Sequence, residues 1–352
     1  MKIDDPFLEN VLKTIIKHNA RPILVGGCVR DFFLDFENKD YDIEVFGLSS
    51  LEDLEQILKE FGDVNLVGKS FGILKLSTQK MEYDFSFPRL ETKTKQGHKG
   101  FDILVDGNLD FKEASKRRDF TINAIGYDYK NKTYLDPFDG MTDLKNKVLK
   151  HIDDATFCED ALRVYRAVQF SARFDFELDK KTFTLCKKLV QTDEFKSVSK
   201  ERIYEEYKKL FLKSSLPSQG LVLLNKLNIA SVGKIDIEYI DQIVNEKISD
   251  DEKTVFIYFI LFELFEKISD DKKIMKKIKQ LKNFKTARIF TKELKNTNSF
   301  VKKLIIKNRI LNDMPKPLFM GKDLIKLGYN PSEKFKTILD TLYKMQLNGE
   351  IC

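Results

Sequence analysis

Residues 24–47 read LVGGCVRDFFLDFENKDYDIEVFG, and the fold turns on how that stretch is parsed. Its upstream neighbours extend it to an apolar run, RPILVGG over 21–27, closed by two glycines; this reads as a buried strand. Residues 28–36 then carry Val29, Phe32 and Phe33 at helical spacing. YDIEVF over 41–46 alternates polar and apolar, so it predicts a strand with Asp42 and Glu44 on one face and Ile43 and Val45 on the other. A Gly-Gly turn feeding a helix presents backbone N–H groups where an anion can approach without meeting a Cβ. Gly26 and Gly27 are therefore candidate phosphate-binding positions, and Arg30 in the first turn adds a charged fork.

Thirteen residues after Gly27 comes Asp40-x-Asp42. On a strand, side chains at i and i+2 share a face, so the two carboxylates converge. Adjacent unpaired acids repel, and a divalent cation relieves that repulsion. Oxygen ligands suit Mg²⁺, which also engages substrate phosphates. A third acid is expected from the later strand 82–87 (EYDFSF), with Asp84 the choice and Glu82 the runner-up. SFGILKLS over 70–77 reads as one more strand. Past about residue 150 the pattern changes. EDALRVYRAVQFSAR over 159–173 is helical in period, and Leu/Ile/Lys/Glu-rich segments follow.

Composition bounds the rest. The chain has 352 residues, 42% hydrophobic and 33% charged, which is globular rather than disordered. Cys28, Cys158, Cys186 and Cys352 form no CxxC pair, so disulfides and a thiolate zinc site are not expected. His18, His98 and His151 are isolated, which excludes most His-clustered metal sites. No run approaches about 18 apolar residues and the N-terminus is acidic, so neither a membrane span nor a signal peptide is expected, and a reducing cytoplasmic setting fits. The net charge of +6 hides an asymmetry: residues 272–309 carry 14 Lys/Arg and one acid. That block of +13 leaves the remainder of the chain at −7, and such a block suits a polyanion.

Taken as a set, GGCVRD followed by KDYDIEVFG resembles the class II tRNA nucleotidyltransferase/poly(A) polymerase family. Three further segments agree in order: RRDFTINA (117–124) resembles its ribose-recognition motif, EDALRVYR (159–166) its amino-acid template, and SKERIYE (199–205) a later neck motif. GKDL (321–324) and QLNGEI (346–351) resemble the tails of bacterial members. The resemblance implies an α+β fold: a nucleotidyltransferase head with a small mixed sheet over 1–150, a helical neck over 151–215, a helical body over 216–316 and a tRNA-binding tail over 317–352. It implies a CCA-adding enzyme that uses CTP and ATP and two Mg²⁺ ions held by Asp40 and Asp42. Gly27 and Arg30 would bind the triphosphate, Arg118 and Asp119 triphosphate and ribose, and Asn123 would support the same pocket. Asp160, Arg163 and Arg166, at i, i+3 and i+6 of a helix, would read the base edge, with Glu159 orienting an arginine. Gln169 stands where many members carry another arginine.

Two alternatives stay open at this point. One is an enzyme of the same fold adding only CC or only A, or a poly(A) polymerase; the FG step in VGKSFGILKL (67–76) favours tRNA over mRNA tails. The other is an inactive RNA-binding module, against which the intact Asp40 and Asp42 argue. The loop TKTKQGHKGF (92–101) corresponds to the family's mobile loop linked to the C-to-A switch. Some members append a His-Asp phosphohydrolase domain; the scarcity of histidine here predicts transferase chemistry only.

Overall fold

The structure is a computed structural model describing residues 1, 3–36, 40–67, 72–78, 81–93, 101–230, 240–241, 244–245, 317–329, 333–347 and 351. The basic block 272–309, most of the loop 92–101 and residues 68–71 of the FG segment lie outside them. The chain divides into two compact units, residues 1–198 with 226–229, and residues 199–225 with 230–352.

In the first unit, α1 (Pro6–Lys17) precedes β1 (Arg21–Val25) and α2 (Gly27–Phe33). Asp5 caps α1 by accepting from the Phe7 and Leu8 amides, and Leu8, Val11, Leu12 and Ile15 form its buried stripe. β2 (Tyr41–Phe46) matches the alternating segment at both ends. α3 (Leu51–Lys59) starts at a Ser50–Asp53 capping box, followed by β3 (Asp63–Val67), β4 (Ile73–Ser77) and β5 (Glu82–Ser86). β6 (Arg89–Lys93) and β7 (Phe101–Val105) pair as a separate antiparallel ribbon. α4 (Phe111–Ser115), β8 (Gly126–Asp128), β9 (Thr133–Leu135), α5 (Gly140–Lys145) and β10 (Val148–Leu149) complete the region read as the head.

The main sheet has the order β3-β4-β5-β2-β1-β8-β9. The β2–β5 pair is parallel and its other pairs are antiparallel, so the sheet is mixed as expected. One core cluster joins Ile23, Val25, Phe46, Phe111 and Ala114. Gly126 is required there: a Cβ would stand 2.5 Å from the Phe111 ring.

Helices then dominate, as the change of period predicts. They are α6 (Asp154–Cys158), α7 (Leu162–Phe174), α8 (Lys180–Leu189) and α9 (Asp193–Lys196); the short β11 (Glu177–Leu178) pairs in parallel with β10. The second unit contains α10 (Lys200–Leu212), α11 (Pro217–Lys226), α12 (Gly321–Lys326) and α13 (Glu333–Leu347). Asp241 accepts from the Ser218 amide at the start of α11 (2.8 Å) and from the Ser218 hydroxyl. Among the described residues no helix is long and apolar enough to cross a membrane.

Candidate active site

Strand register assembles the first half of the site. Val25 of β1 pairs with Asp42 of β2, and Asp42 pairs with Asp84 of β5. Registered neighbours present their side chains on one face, so the Gly26 turn, Asp42 and Asp84 meet at one end of the sheet. Gly26 has φ +72°, and a Cβ there would lie 3.1 Å from an Arg118 terminal nitrogen and 3.3 Å from Asp42 Oδ2. The turn therefore passes close beneath a guanidinium and a carboxylate, where a Cβ would be crowded and its positive φ strained.

The choice between Asp84 and Glu82 acquires geometry. Glu82 is 62% exposed and accepts from Lys75 Nζ at 3.0 Å. Asp84 is in register with Asp42, stands 3.6 Å from the same Lys75, and has a buried Oδ1 with no hydrogen-bond partner. Asp42 is raised above the ordinary carboxylate range. Desolvation is the largest cause, Arg118 opposes it, and repulsion from Asp84, Asp40 and Glu44 adds to it. Among the described residues no three His, Cys, Asp or Glu side chains close on one point as a metal cage would. Two adjacent carboxylates with crowded charge, the Asp84 Oδ1 held by a 3.6 Å ion pair to Lys75 and by no hydrogen bond, nevertheless fit Mg²⁺, which is usually bound by one or two carboxylates with phosphate and water supplying the rest.

Glu44, third along the same strand face, is the residue sequence reading assigned no role. It is fully buried. Its Oε1 accepts from Arg117 and, at 2.9 Å, from Arg118. Burial alone would push its carboxyl up, but Arg118, Arg117 and Arg89 outweigh burial and hold it below the usual glutamate range. The D-x-D-x-E spacing was the available signal, since i, i+2 and i+4 of a strand share a face.

The second half of the site is a hydrogen-bonded chain. Arg30 donates to Asn123 Oδ1 (2.7 Å), Asn123 Nδ2 donates to Asp119 Oδ1 (2.9 Å), and Arg166 Nε donates to Asp119 Oδ2 (2.7 Å). Four residues picked out along the sequence thus form one chain linking α2, the 3₁₀ turn Thr121–Asn123 and α7. Asp119 also accepts from the Phe120 amide at 2.9 Å. Burial pushes its carboxyl up, but Arg166, Asn123 and Arg163 outweigh burial and it lies below the ordinary value.

Arg30 differs from a fork open to solvent. It is 5% exposed, bonded to Asp31, and its guanidinium lies over Phe174 (4.6 Å) and Phe170 (5.3 Å). Each such cation–π contact contributes about 0.5–2 kcal/mol. In this arrangement it fastens α2 to α7 and orients Asn123.

The template segment differs too. α7 starts at Leu162, so Asp160 precedes the helix, its carboxylate accepting from the Leu162 amide at 3.1 Å. Asp160 and Arg163 are joined through the backbone, Arg163 N–H donating to the Asp160 carbonyl (3.0 Å). The Arg163 guanidinium donates to the carbonyls of Thr156 (2.8 Å) and Arg117 (2.6 Å). Arg166 remains about one-third exposed. Gln169 is 2% exposed and its Nε2 has no hydrogen-bond partner.

Known proteins are similar to this chain in sequence and in fold. A family model described as "Poly A polymerase head domain" matches residues 23–150, and one described as "Probable RNA and SrmB- binding site of polymerase A" matches 175–232. A "Multifunctional CCA protein" of Vibrio vulnificus (strain CMCP6) is 35% identical over 212 residues, 59% of this chain and 49% of that protein. A "CCA-adding enzyme" of Francisella tularensis subsp. novicida (strain U112) is 37% identical over 189 residues, 53% of this chain and 48% of its own. The chain thus spans about half the length of the curated relatives it matches. The fold resembles a solved Thermotoga maritima CCA-adding enzyme complexed with tRNA (TM-score 0.64, 19% identity, 99% of this chain and 93% of that one). It also resembles a CCA-adding enzyme solved with ATP (TM-score 0.65, 20% identity, 99% and 93% covered).

Proposed function

The chain belongs to the class II tRNA nucleotidyltransferase/poly(A) polymerase family, and on that premise we propose that it adds C, C and A to the 3′ end of tRNA from CTP and ATP, without a nucleic-acid template. The observation that carries this is the register of Asp42 with Asp84 beside the Gly26 turn, with Arg118 and Asp42 both close over that turn. A triphosphate seated at Gly26 and Gly27 meets Arg118 and two acids at once. Asp40, Asp42 and Asp84 would hold Mg²⁺, which when bound neutralises phosphate charge and favours the deprotonated form of an attacking hydroxyl. The tRNA 3′-oxygen bonds to the α-phosphorus as the bond to the β-phosphate breaks and pyrophosphate leaves.

The other residues position. Arg118 orients the triphosphate. Asp119 faces the ribose, where a carboxylate accepting from a 2′-hydroxyl favours ribonucleotides. Asn123 and Arg30 hold Asp119 in place. Asp160, Arg163 and Arg166 present donors and acceptors to the base edge, as reading without a nucleic-acid template requires. The same reading divides the chain into a catalytic head (1–150), a neck bearing the template (151–215), a body (216–316) and a tail (317–352) facing the tRNA acceptor stem, in a cytoplasmic setting.

The deciding experiment incubates the protein with tRNAs ending at the discriminator base, at C and at CC, with CTP and ATP supplied separately. Extension of all three supports full CCA addition; extension of only one class assigns partial addition, and no extension sinks the proposal. Two variants refine it. Arg163→Ala is expected to blur the CTP/ATP choice more than it weakens triphosphate binding, and unchanged selectivity in single-nucleotide incorporation would count against the template role. Neutralising several lysines within 272–309 should weaken tRNA binding and reduce its salt slope by roughly one unit for each phosphate no longer neutralised. A slope equal to wild type returns that block to a solvated role.

A further inference from the structure

We infer that Glu44 is a positioning residue, which holds the Arg118 guanidinium beside the Gly26 turn and off the Asp42 carboxylate. The inference rests on the nucleotidyltransferase reading, because it supposes a triphosphate and a divalent cation at that turn. Glu44 is fully buried, so it cannot itself touch a nucleotide; whatever it does, it does through its arginines. Its Oε1 accepts from Arg118 at 2.9 Å and from Arg117. The other terminal nitrogen of Arg118 and Asp42 Oδ2 flank one point, 3.1 Å and 3.3 Å from where a Gly26 Cβ would stand. Arg118 is therefore caught between two carboxylates, one buried and one at the site.

A guanidinium pairs with whichever carboxylate it can reach. Paired with Asp42, it would occupy the position where cation and phosphate are to meet. Glu44 prevents that by holding Arg118 from behind. Its second oxygen, Oε2, is buried without a hydrogen-bond partner. An ion pair selected for stability alone would satisfy that oxygen, since orphaned charged groups are costly. What Glu44 provides is a fixed negative charge aimed at the arginines.

The test uses the full chain and reads Mn²⁺ binding by electron paramagnetic resonance without nucleotide, and CTP binding by calorimetry in EDTA. Glu44→Gln is expected to weaken both by about tenfold, the loss of one charge-assisted hydrogen bond. Adding Arg118→Ala to Glu44→Gln should restore Mn²⁺ affinity, because the intruding guanidinium is gone. It should not weaken CTP binding beyond Arg118→Ala alone. If Glu44→Gln does not fold, Glu44→Asp replaces it, keeping the charge one methylene short, with the same rescue expected. Mn²⁺ affinity that is unchanged in the single variant, or is not rescued in the double, overturns the inference alone. A wild-type chain that binds neither Mn²⁺ nor CTP overturns it together with the nucleotidyltransferase reading.

Discussion

Asp42→Asn is expected to lower nucleotide incorporation by about a thousandfold, the scale of several kcal/mol of lost transition-state stabilisation, while tRNA binding stays near wild type. The same substitution should make the metal-free protein more heat-stable. Asp42 lies above the ordinary carboxylate range because desolvation and three neighbouring acids disfavour its charge, with Arg118 opposing them. An acid whose folded pKa is raised detracts from stability once pH exceeds its unfolded value, so at neutral pH removing the charge relieves the fold. A melting scan in EDTA reads the gain and primer extension with Mg²⁺ reads the loss. Retained incorporation would sink the assignment of Asp42 as a cation ligand; a lower melting temperature would sink the account of its crowding.

Asp119→Ala carries the second large effect. One carboxylate accepts from the Phe120 amide, Asn123 and Arg166, and it is 7% exposed. Truncation leaves those donors facing a void and should cost about 3–5 kcal/mol in denaturant unfolding, the range for breaking a buried charge pair. It also has a pH signature. The folded pKa of Asp119 is lowered, so its contribution is present above the unfolded value near 4 and is lost as pH falls through the folded value. Stability of the variant should therefore fall less steeply than wild type below about pH 4. A loss under about 1 kcal/mol, or an unaltered acid limb, would show that Asp119 is not the junction that joins Asn123 to Arg166.

How much of this was legible depended on the range of the interaction. The strand over 41–46 is legible because sequence alternation is a local signal, even though Ile43, Glu44, Val45 and Phe46 are all buried. The helix expected over 159–173 begins at Leu162, because the Asp160 carboxylate takes the Leu162 amide and stops the turn from continuing backward. Such competition between a short polar side chain and the backbone is invisible to periodicity. Arg30 follows the Gly-Gly turn in the sequence, but its packing over Phe170 and Phe174 joins residues about 140 positions apart. Glu44 was seen on the Asp42 face, yet its partners Arg117 and Arg118 arrive from 73 and 74 residues downstream. The motifs supplied the members of the site, and the sheet supplied their pairing.

The parallel pairing of β2 with β5 makes the site unequally tolerant of different genetic lesions. Asp42 faces Asp84 only because the ladder sets them in register, with Phe85, fully buried, one step along. Deleting Glu82 or Tyr83 would slip every later side chain of the strand to the opposite face. Phe85 would then stand beside Asp42, and an acid would be driven into the apolar layer. Substitutions along these two strands can be graded in effect, and drift can sample them one at a time. Changes of length within them are all-or-none, so the spacing of the two acids is held by the hydrogen-bond ladder as strictly as by the chemistry they share.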